Sequence, residues 1–207
     1  MSYPFHIIEC DFSRPRLYME IEKESTIIRR ILCGEHQAYA RLIDEYKAPV
    51  YNLVLKLTDN REDAEDLAQE IFIRAFEALD RFDIRKRFFP WLYTIALNTI
   101  RNHHKKKKPL LTRNFETLLG GRRTAETRNP EHMVQSKQVS QILDRCIRKL
   151  PLPQKEAIVL RYYQELTFEE IAEIQKITIS AAKMRVYRGL KHLSKIFHED
   201  HSNNSLK

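Results

Sequence analysis

Glycine is scarce in this chain: four residues in 207, at positions 34, 120, 121 and 189. Tight hairpins lean on glycine for left-handed backbone, so the shortage argues against a hairpin-rich sandwich or barrel. It also excludes the glycine-rich phosphate loops, because neither GxGxxG nor GxxxxGK can be assembled. Cysteine is equally sparse. Cys10, Cys33 and Cys146 are odd in number and far apart, the pattern of reduced thiols in a cytoplasmic protein and not of a disulfide framework. No apolar run approaches the roughly 20 residues a membrane span needs. The N-terminus, MSYPFHIIECDF, lacks the basic start and apolar stretch of a secretion signal. Catalytic and metal constellations are missing too. Cys33-Gly-Glu-His36 and His198 with His201 have ligand-like spacing, but no third or fourth ligand accompanies either, and no motif pairs a nucleophile with a base. The expectation is a non-enzymatic, cytoplasmic protein without membrane insertion, metal or cofactor.

What the chain does have is charge, and the charge is blocked. Lysine and arginine number 36 against 28 acids, for a net charge of +8 and a pI near 9.4. Such a balance points to a polyanion, either nucleic acid or an anionic membrane surface. Residues 61–70 hold five acids against one arginine, residues 81–108 hold nine bases against Asp83, and residues 176–195 hold six bases and no acid. Three surfaces with different partners are expected.

Residues 109–135 break the pattern, with Pro109, Gly120-Gly121 and Pro130 and few regularly spaced apolar residues. They read as a flexible linker, with a helical turn around Phe115 to Leu119. The linker separates an N-terminal unit, 27–108, from a C-terminal unit, 136–199, with an extension over 1–26 and a tail over 200–207. Both units read as helical, so the fold expected is all-α: two small helical domains joined by a linker. In 61–79, Ala64, Leu67, Ala68, Ile71, Phe72, Ala75, Phe76 and Leu79 fall on one helix face. Positions 38–57 form an earlier amphipathic stretch that Pro49 kinks or breaks. Pro90 suits the first turn of a helix running to about Lys107. Further helices are expected near 134–149, 153–164, 167–175 and 179–197, the third opened by a Thr167–Glu170 capping box.

The segment 167–193, TFEEIAEIQKITISAAKMRVYRGLKHL, has the pattern of a helix-turn-helix. Ile171, Ala172 and Ile174 face inward on a short helix. After a turn, Thr178 caps a second helix on which Ala182, Val186, Gly189 or Leu190, and Leu193 face inward. Its outward face carries Ser180, Ala181, Lys183, Met184, Arg185, Tyr187, Arg188 and Lys191. In this motif the second helix enters the major groove, where arginine pairs with guanine and lysine meets phosphate. A helical hairpin with a solvated basic face is the alternative. Lys176 stands where glycine is usual in the turn, and a left-handed lysine costs on the order of 1 kcal/mol.

In the N-terminal unit, Thr94, Asn98, Arg101 and Lys105 form one polar stripe, preceded by Phe82, Phe88, Phe89, Trp91 and Tyr93. Bases interleaved with aromatics suit an unstacked single strand, although Trp91 and Phe88 also read as core.

Three stretches, EDAEDLAQEIFIRAF, RFDIRKRFFPWLYTIALNTIRN and LPLPQKEAIVLRYYQELTFEEIAEIQKITISAAKMRVYRGLKHL, resemble bacterial sigma factors of the sigma-70 family, and within it the extracytoplasmic-function group that keeps only domains two and four. The resemblance implies a transcription initiation factor that binds core RNA polymerase and directs it to promoters. Asp63, Asp66, Gln69 and Glu70 correspond to the surface that docks on the polymerase clamp helices. Phe82, Arg85, Lys86, Arg87, Thr94, Asn98, Arg101 and Lys105 correspond to the −10 reading and melting surface. Ser180, Ala181, Lys183, Met184, Arg185 and Arg188 correspond to the −35 reader, and the helices before them to the part that meets the polymerase flap. An anti-sigma factor is a further implied partner. Where the family has arginine in a WLYRIARN-like stretch, this chain has Thr94 and Leu97. The alternative is a helix-turn-helix regulator with an N-terminal sensing or dimerisation domain.

Overall fold

A computed structural model of the chain describes residues 19, 21–58, 60–113 and 142–204, with side chains for those up to 107 and from 142 to 199. The expected turn around Phe115 to Leu119, most of the 109–135 linker and residues 134–141 lie outside the described residues. Within them every regular element is helical. In chain order they are α1 (Ile21–Leu32), α2 (Tyr39–Thr58), α3 (Arg61–Glu77), α4 (Phe88–Arg113), α5 (142–148), α6 (Leu152–Ile158), α7 (Phe168–Gln175) and α8 (Ile179–Asn204). Short 3₁₀ turns precede α2 and follow α3, and α6 runs on into a π-helical turn, Val159–Tyr163.

Two elements differ from expectation. α2 is continuous through Pro49; the core residues Tyr46, Val50, Leu53, Val54 and Leu57 flank the proline on one buried stripe and hold the helix together across it. α1 begins at Ile21, inside the segment read as an extension. Its Ile27, Ile28 and Ile31 join the core, and so does a carboxylate. Glu24 is 1% exposed, accepts a hydrogen bond from the Tyr46 hydroxyl, and accepts the Phe88 N–H at 3.0 Å. It thereby satisfies one of the orphan donors at the start of α4 from a different helix.

The punctuation of the C-terminal unit follows the sequence closely. Thr167 accepts the Glu170 N–H at 3.2 Å while Glu170 accepts the Thr167 N–H at 2.9 Å, completing the capping box. Lys176 is left-handed, φ 54° and ψ 51°. The Ile177 N–H reaches the Ala172 carbonyl and the Lys176 N–H the Glu173 carbonyl, the Schellman closure usually built on glycine. Thr178 caps α8 by accepting the Ala181 N–H at 3.2 Å.

The two units pack on each other. α7 lies on α4, and the π-turn lies on α2. Val159, Leu160, Leu166, Ile171, Ala172, Ile174 and Ala182 share one continuous core with α1 to α4. A second core, built on Cys146, Ile147, Leu150, Ala157, Ile158, Val186 and Leu193, holds α5, α6 and α8 together. α8 approaches α6 closely at Gly189, where a Cβ would stand 2.8 Å from Ile158 Cγ1.

Candidate nucleic-acid interface

The second helix of the helix-turn-helix presents a surface that is apolar and basic together. Ser180, Lys183, Met184 and Arg188 are exposed, Ala181 and Arg185 half-buried. Arg185 is tied back to its own unit: Nη1 donates to Gln175 Oε1 at 3.0 Å. Tyr187 is 64% exposed and Ile179 42% exposed, and both extend this face although neither is among the −35 residues inferred from sequence. The sequence already puts Tyr187 on the outward face of this helix, without counting it among the −35 residues. On the opposite side Ala182, Val186 and Leu193 are buried, as their spacing requires.

The α4 surface is different. The expected stacking platform is core: Phe88, Phe89 and Tyr93 are fully buried, and Phe82 is buried against Trp91 and Phe88, ring centroids 5.0 and 5.8 Å away. Spacing explains this. Phe89, Tyr93, Ala96 and Ile100 recur at three- and four-residue steps and line the inward face of α4, with Leu97 beside them. Trp91 is half-buried against the same cluster.

The polar stripe of α4 is partly covered by the C-terminal unit, at Thr94 and Arg101. Arg101 donates from Nε to Glu156 Oε1 at 2.8 Å and from Nη2 to Glu156 Oε2 at 2.6 Å. Those hydrogen bonds, with the charge of Glu156, raise the Arg101 pKa against the opposing effect of burial. The Thr94 hydroxyl donates to Pro90 O at 2.9 Å and lies 3.4 Å from Ile174 O. Tyr93 Oη donates to Gln164 Oε1 at 2.8 Å, and Arg87 faces Glu170 at 3.4 Å. Lys155, 4% exposed, donates to the Leu57 carbonyl at the C-terminal end of α2, 3.3 Å away. Asn98, Lys105, Arg85 and Lys86 remain exposed. Arg85 folds onto Asp83 through its side chain and backbone N–H, which pulls the Asp83 carboxyl down to about 2.

On α3, Asn60 caps the start by accepting the Glu62 N–H. Asp66 and Gln69 are exposed, and Glu70 pairs with Arg74 one turn on at 2.6 Å. Asp63 is largely covered and hydrogen-bonds Lys107; burial would raise its pKa, but that lysine's hydrogen bond and charge, with His103 behind them, hold it below the usual range. His103 Nε2 stands 3.7 Å from Asp63 and His104 Nε2 3.1 Å from Leu57 O, so both rings face the protein and not an open phosphate surface. Gln69 lines a shallow hollow with Ile43, Lys47, Tyr51 and Phe72. Ile73, 58% exposed, stands off the apolar stripe of α3, and Phe76 is exposed at the stripe's edge beside His36 and Tyr39. An apolar residue on the polar side of an amphipathic helix was the signal for Ile73.

Comparison with known proteins identifies the family. Residues 42–109 match Sigma-70 region 2 and residues 140–193 match Sigma-70 region 4. The chain is 36% identical over 174 residues to the ECF RNA polymerase sigma factor SigW of Bacillus subtilis, covering 81% of this chain and 93% of that protein. It is 32% identical over 174 residues to the ECF RNA polymerase sigma-E factor of Escherichia coli, covering 80% of this chain and 89% of that one. Among solved structures, CnrH in complex with the cytosolic domain of CnrY aligns with a TM-score of 0.60 at 22% identity, over 85% of this chain and 97% of that one. The sigma factor RpoE in complex with the anti-sigma factor NepR, from Bartonella quintana, aligns with a TM-score of 0.63 at 19% identity, over 77% and 96%. These two likenesses concern the fold. With both regions present in order, and relatives of this identity matched over nearly their whole length, the chain belongs to the extracytoplasmic-function group of the sigma-70 family of RNA polymerase sigma factors.

Proposed function

We propose that the protein is a cytoplasmic, non-enzymatic transcription initiation factor that docks on core RNA polymerase and directs it to promoters through −10 and −35 elements. The observation that carries this reading is the coexistence of two separate faces in one small unit. The acidic α3 leaves Asp66 and Gln69 exposed beside the apolar Ile73 and Phe76, while the lysine-rich end of α4 leaves Lys105 exposed on another helix. An ordinary helix-turn-helix regulator has no need of such a pair. In this reading Asp66, Gln69 and Glu70 contact the clamp helices, with Ile73 and the α2–α3 hollow as the apolar part of the same surface. Asp63 acts from behind, orienting Lys107. Thr94, Asn98, Arg101 and Lys105 meet the −10 strand, with Arg85, Lys86 and Arg87 on the loop before α4 and Phe82 supporting that loop from beneath. Ser180, Ala181, Lys183, Met184, Arg185 and Arg188 read −35 duplex, and α5 and α6 face the polymerase flap. An anti-sigma factor is the expected negative partner.

Run-off transcription with core polymerase on a promoter library tests the reading. Promoter-directed transcripts that depend on this chain support it. Sequence-specific duplex binding without any stimulation of core polymerase would leave the regulator instead.

A further inference from the structure

Glu24 of α1 is a buried acid, 1% exposed, that none of the surfaces assigned above uses. A carboxylate out of water is unfavourable unless hydrogen bonds replace those it loses. Each oxygen has a partner on a different helix. Oε1 accepts from the Tyr46 hydroxyl of α2, and Oε2 accepts the Phe88 N–H at 3.0 Å. Phe88 opens α4, so its N–H is one that the helix itself cannot satisfy. The residue before it is Arg87, whose side chain has no acceptor with which to cap the helix locally. The cap comes from α1 instead. Burial raises the Tyr46 pKa, and the hydrogen bond and charge of Glu24 raise it further, so the hydroxyl keeps the proton it donates.

What this contact holds is the loop before α4, and that loop is stiff in itself. Asp83 accepts the Arg85 N–H at 3.1 Å and the Arg85 guanidinium at 2.9 and 3.0 Å. The Lys86 N–H returns to the Asp83 carbonyl at 2.9 Å, and the Phe82 ring lies against Phe88 and Trp91. A loop tied together in this way moves as one piece, so its place depends on its two ends. Both rest on α1: the 3₁₀ turn Leu79–Arg81 packs on that helix upstream, and Glu24 holds Phe88 downstream. Arg87 lies close enough to the buried pair for its charge to oppose the rise in the Tyr46 pKa. Arg85 and Lys86, the exposed cations of the loop, therefore extend from a backbone whose position α1 sets.

We propose that Glu24 is a positioning residue for −10 recognition: by holding the start of α4, it fixes where the loop Phe82–Arg87 presents Arg85 and Lys86 to the DNA strand. The proposal rests on the reading of that loop as part of the −10 surface. A preorganised loop favours the site it fits and penalises one it does not, whereas a loosened loop adapts to several sites and separates them less.

The test uses the full chain, saturating core polymerase, and run-off templates built on one promoter selected from the library. One series carries single-base changes at −10 and the other at −35. Glu24→Leu fills the same space and accepts no hydrogen bond. It should lower the ratio of parent-promoter to variant transcription about fivefold in the −10 series, with less than about twofold change in the −35 series. A role confined to stability would lower output from every template alike, because it changes the amount of folded protein and not its preference. Glu24→Gln, whose amide oxygen can still accept the Phe88 N–H, should bring the −10 ratio back to within about twofold of the parent. Tyr46→Phe leaves the carboxylate on Phe88 and removes the hydroxyl that orients it. It should lower the −10 ratio by a smaller factor than Glu24→Leu, and it decides the matter if the leucine variant does not fold. An unchanged −10 ratio in Tyr46→Phe and in folded Glu24→Leu overturns the proposal, and so does an equal fall in both series. Failure of the underlying reading has a different signature: Arg85→Ala with Lys86→Ala would then leave −10 preference untouched in a chain with native Glu24, and the proposal would fall with it.

Discussion

Gly189→Ala is a small change with a large structural meaning. In a helix, replacing glycine by alanine ordinarily stabilises by about 1 kcal/mol, because alanine loses less backbone freedom. At position 189 the new Cβ would stand 2.8 Å from Ile158 Cγ1, 3.2 Å from Ile158 Cδ1 and 3.5 Å from the Gln154 carbonyl oxygen. Carbon atoms pack at about 3.5–4.0 Å, so α8 must back away from α6 by about 0.7 Å or Ile158 must turn. Ile158 is 2% exposed, and a β-branched side chain has few rotamers to turn into. Overpacking of this kind costs about 1–3 kcal/mol, which outweighs the propensity gain and leaves a net loss of about 1 kcal/mol. For a chain of this size that lowers Tm by about 2–4 °C. Thermal unfolding followed by circular dichroism measures it. The sign must reverse in an Ile158→Ala background, where both crowding carbons are gone and the propensity term stands alone. If Gly189→Ala stabilises the parent protein as well, the helices do not approach as closely as described, and the argument fails.

Asp66→Arg combined with Gln69→Ala should weaken core polymerase binding about tenfold or more without altering Tm, since both side chains are exposed; unchanged affinity would remove α3 from the docking surface. Replacing Lys105, Lys106 and Lys107 with alanine should weaken promoter binding about equally for all sequences and flatten the log affinity against log salt slope by about 2 to 3, at ~0.7–0.9 per phosphate. A shift in promoter preference would mean that these lysines read bases. Arg185→Ala should lower transcription from a cognate −35 sequence about tenfold and relax preference at one base pair, an arginine–guanine pair being worth about 1–3 kcal/mol. Equal loss on every −35 variant would make it a phosphate clamp. Val186→Ala, by contrast, should cost about 1 kcal/mol or more of stability and leave base preference alone.

How much of this was legible in the sequence depended on whether the information was local. The capping box at Thr167, the left-handed Lys176 and the Thr178 cap are decided within a few residues, and they stand where the sequence placed them. So do the buried positions of α8. α2 was harder to read, because a proline's local preference was overruled by the apolar stripe on either side of it. The rings of Phe89 and Tyr93 read as a stacking surface, and Phe88 as either stacking surface or core, since their burial depends on neighbours distant in sequence. The cover on α4 was wholly illegible: Arg101 and Glu156 are 55 residues apart, and nothing in either stretch marks the other as its partner. The same holds for Asp63 and Lys107, an acid and a base that each read alone as a solvent-facing contact.

The buried carboxylate of Glu24 decides where the N-terminal unit can be cut. The family match opens at residue 42, in the first turn of α2. A fragment begun there would remove the carboxylate that accepts from the Tyr46 hydroxyl and the Phe88 N–H, hydrogen bonds to a charged group worth about 1.5–3 kcal/mol each. It would also strip Ile27, Ile28 and Ile31 from the core and bare the apolar residues they cover. The folding unit therefore starts no later than Ile21, one helix upstream of the matched segment, and the loop before α4 owes its anchorage to a residue that the match does not contain.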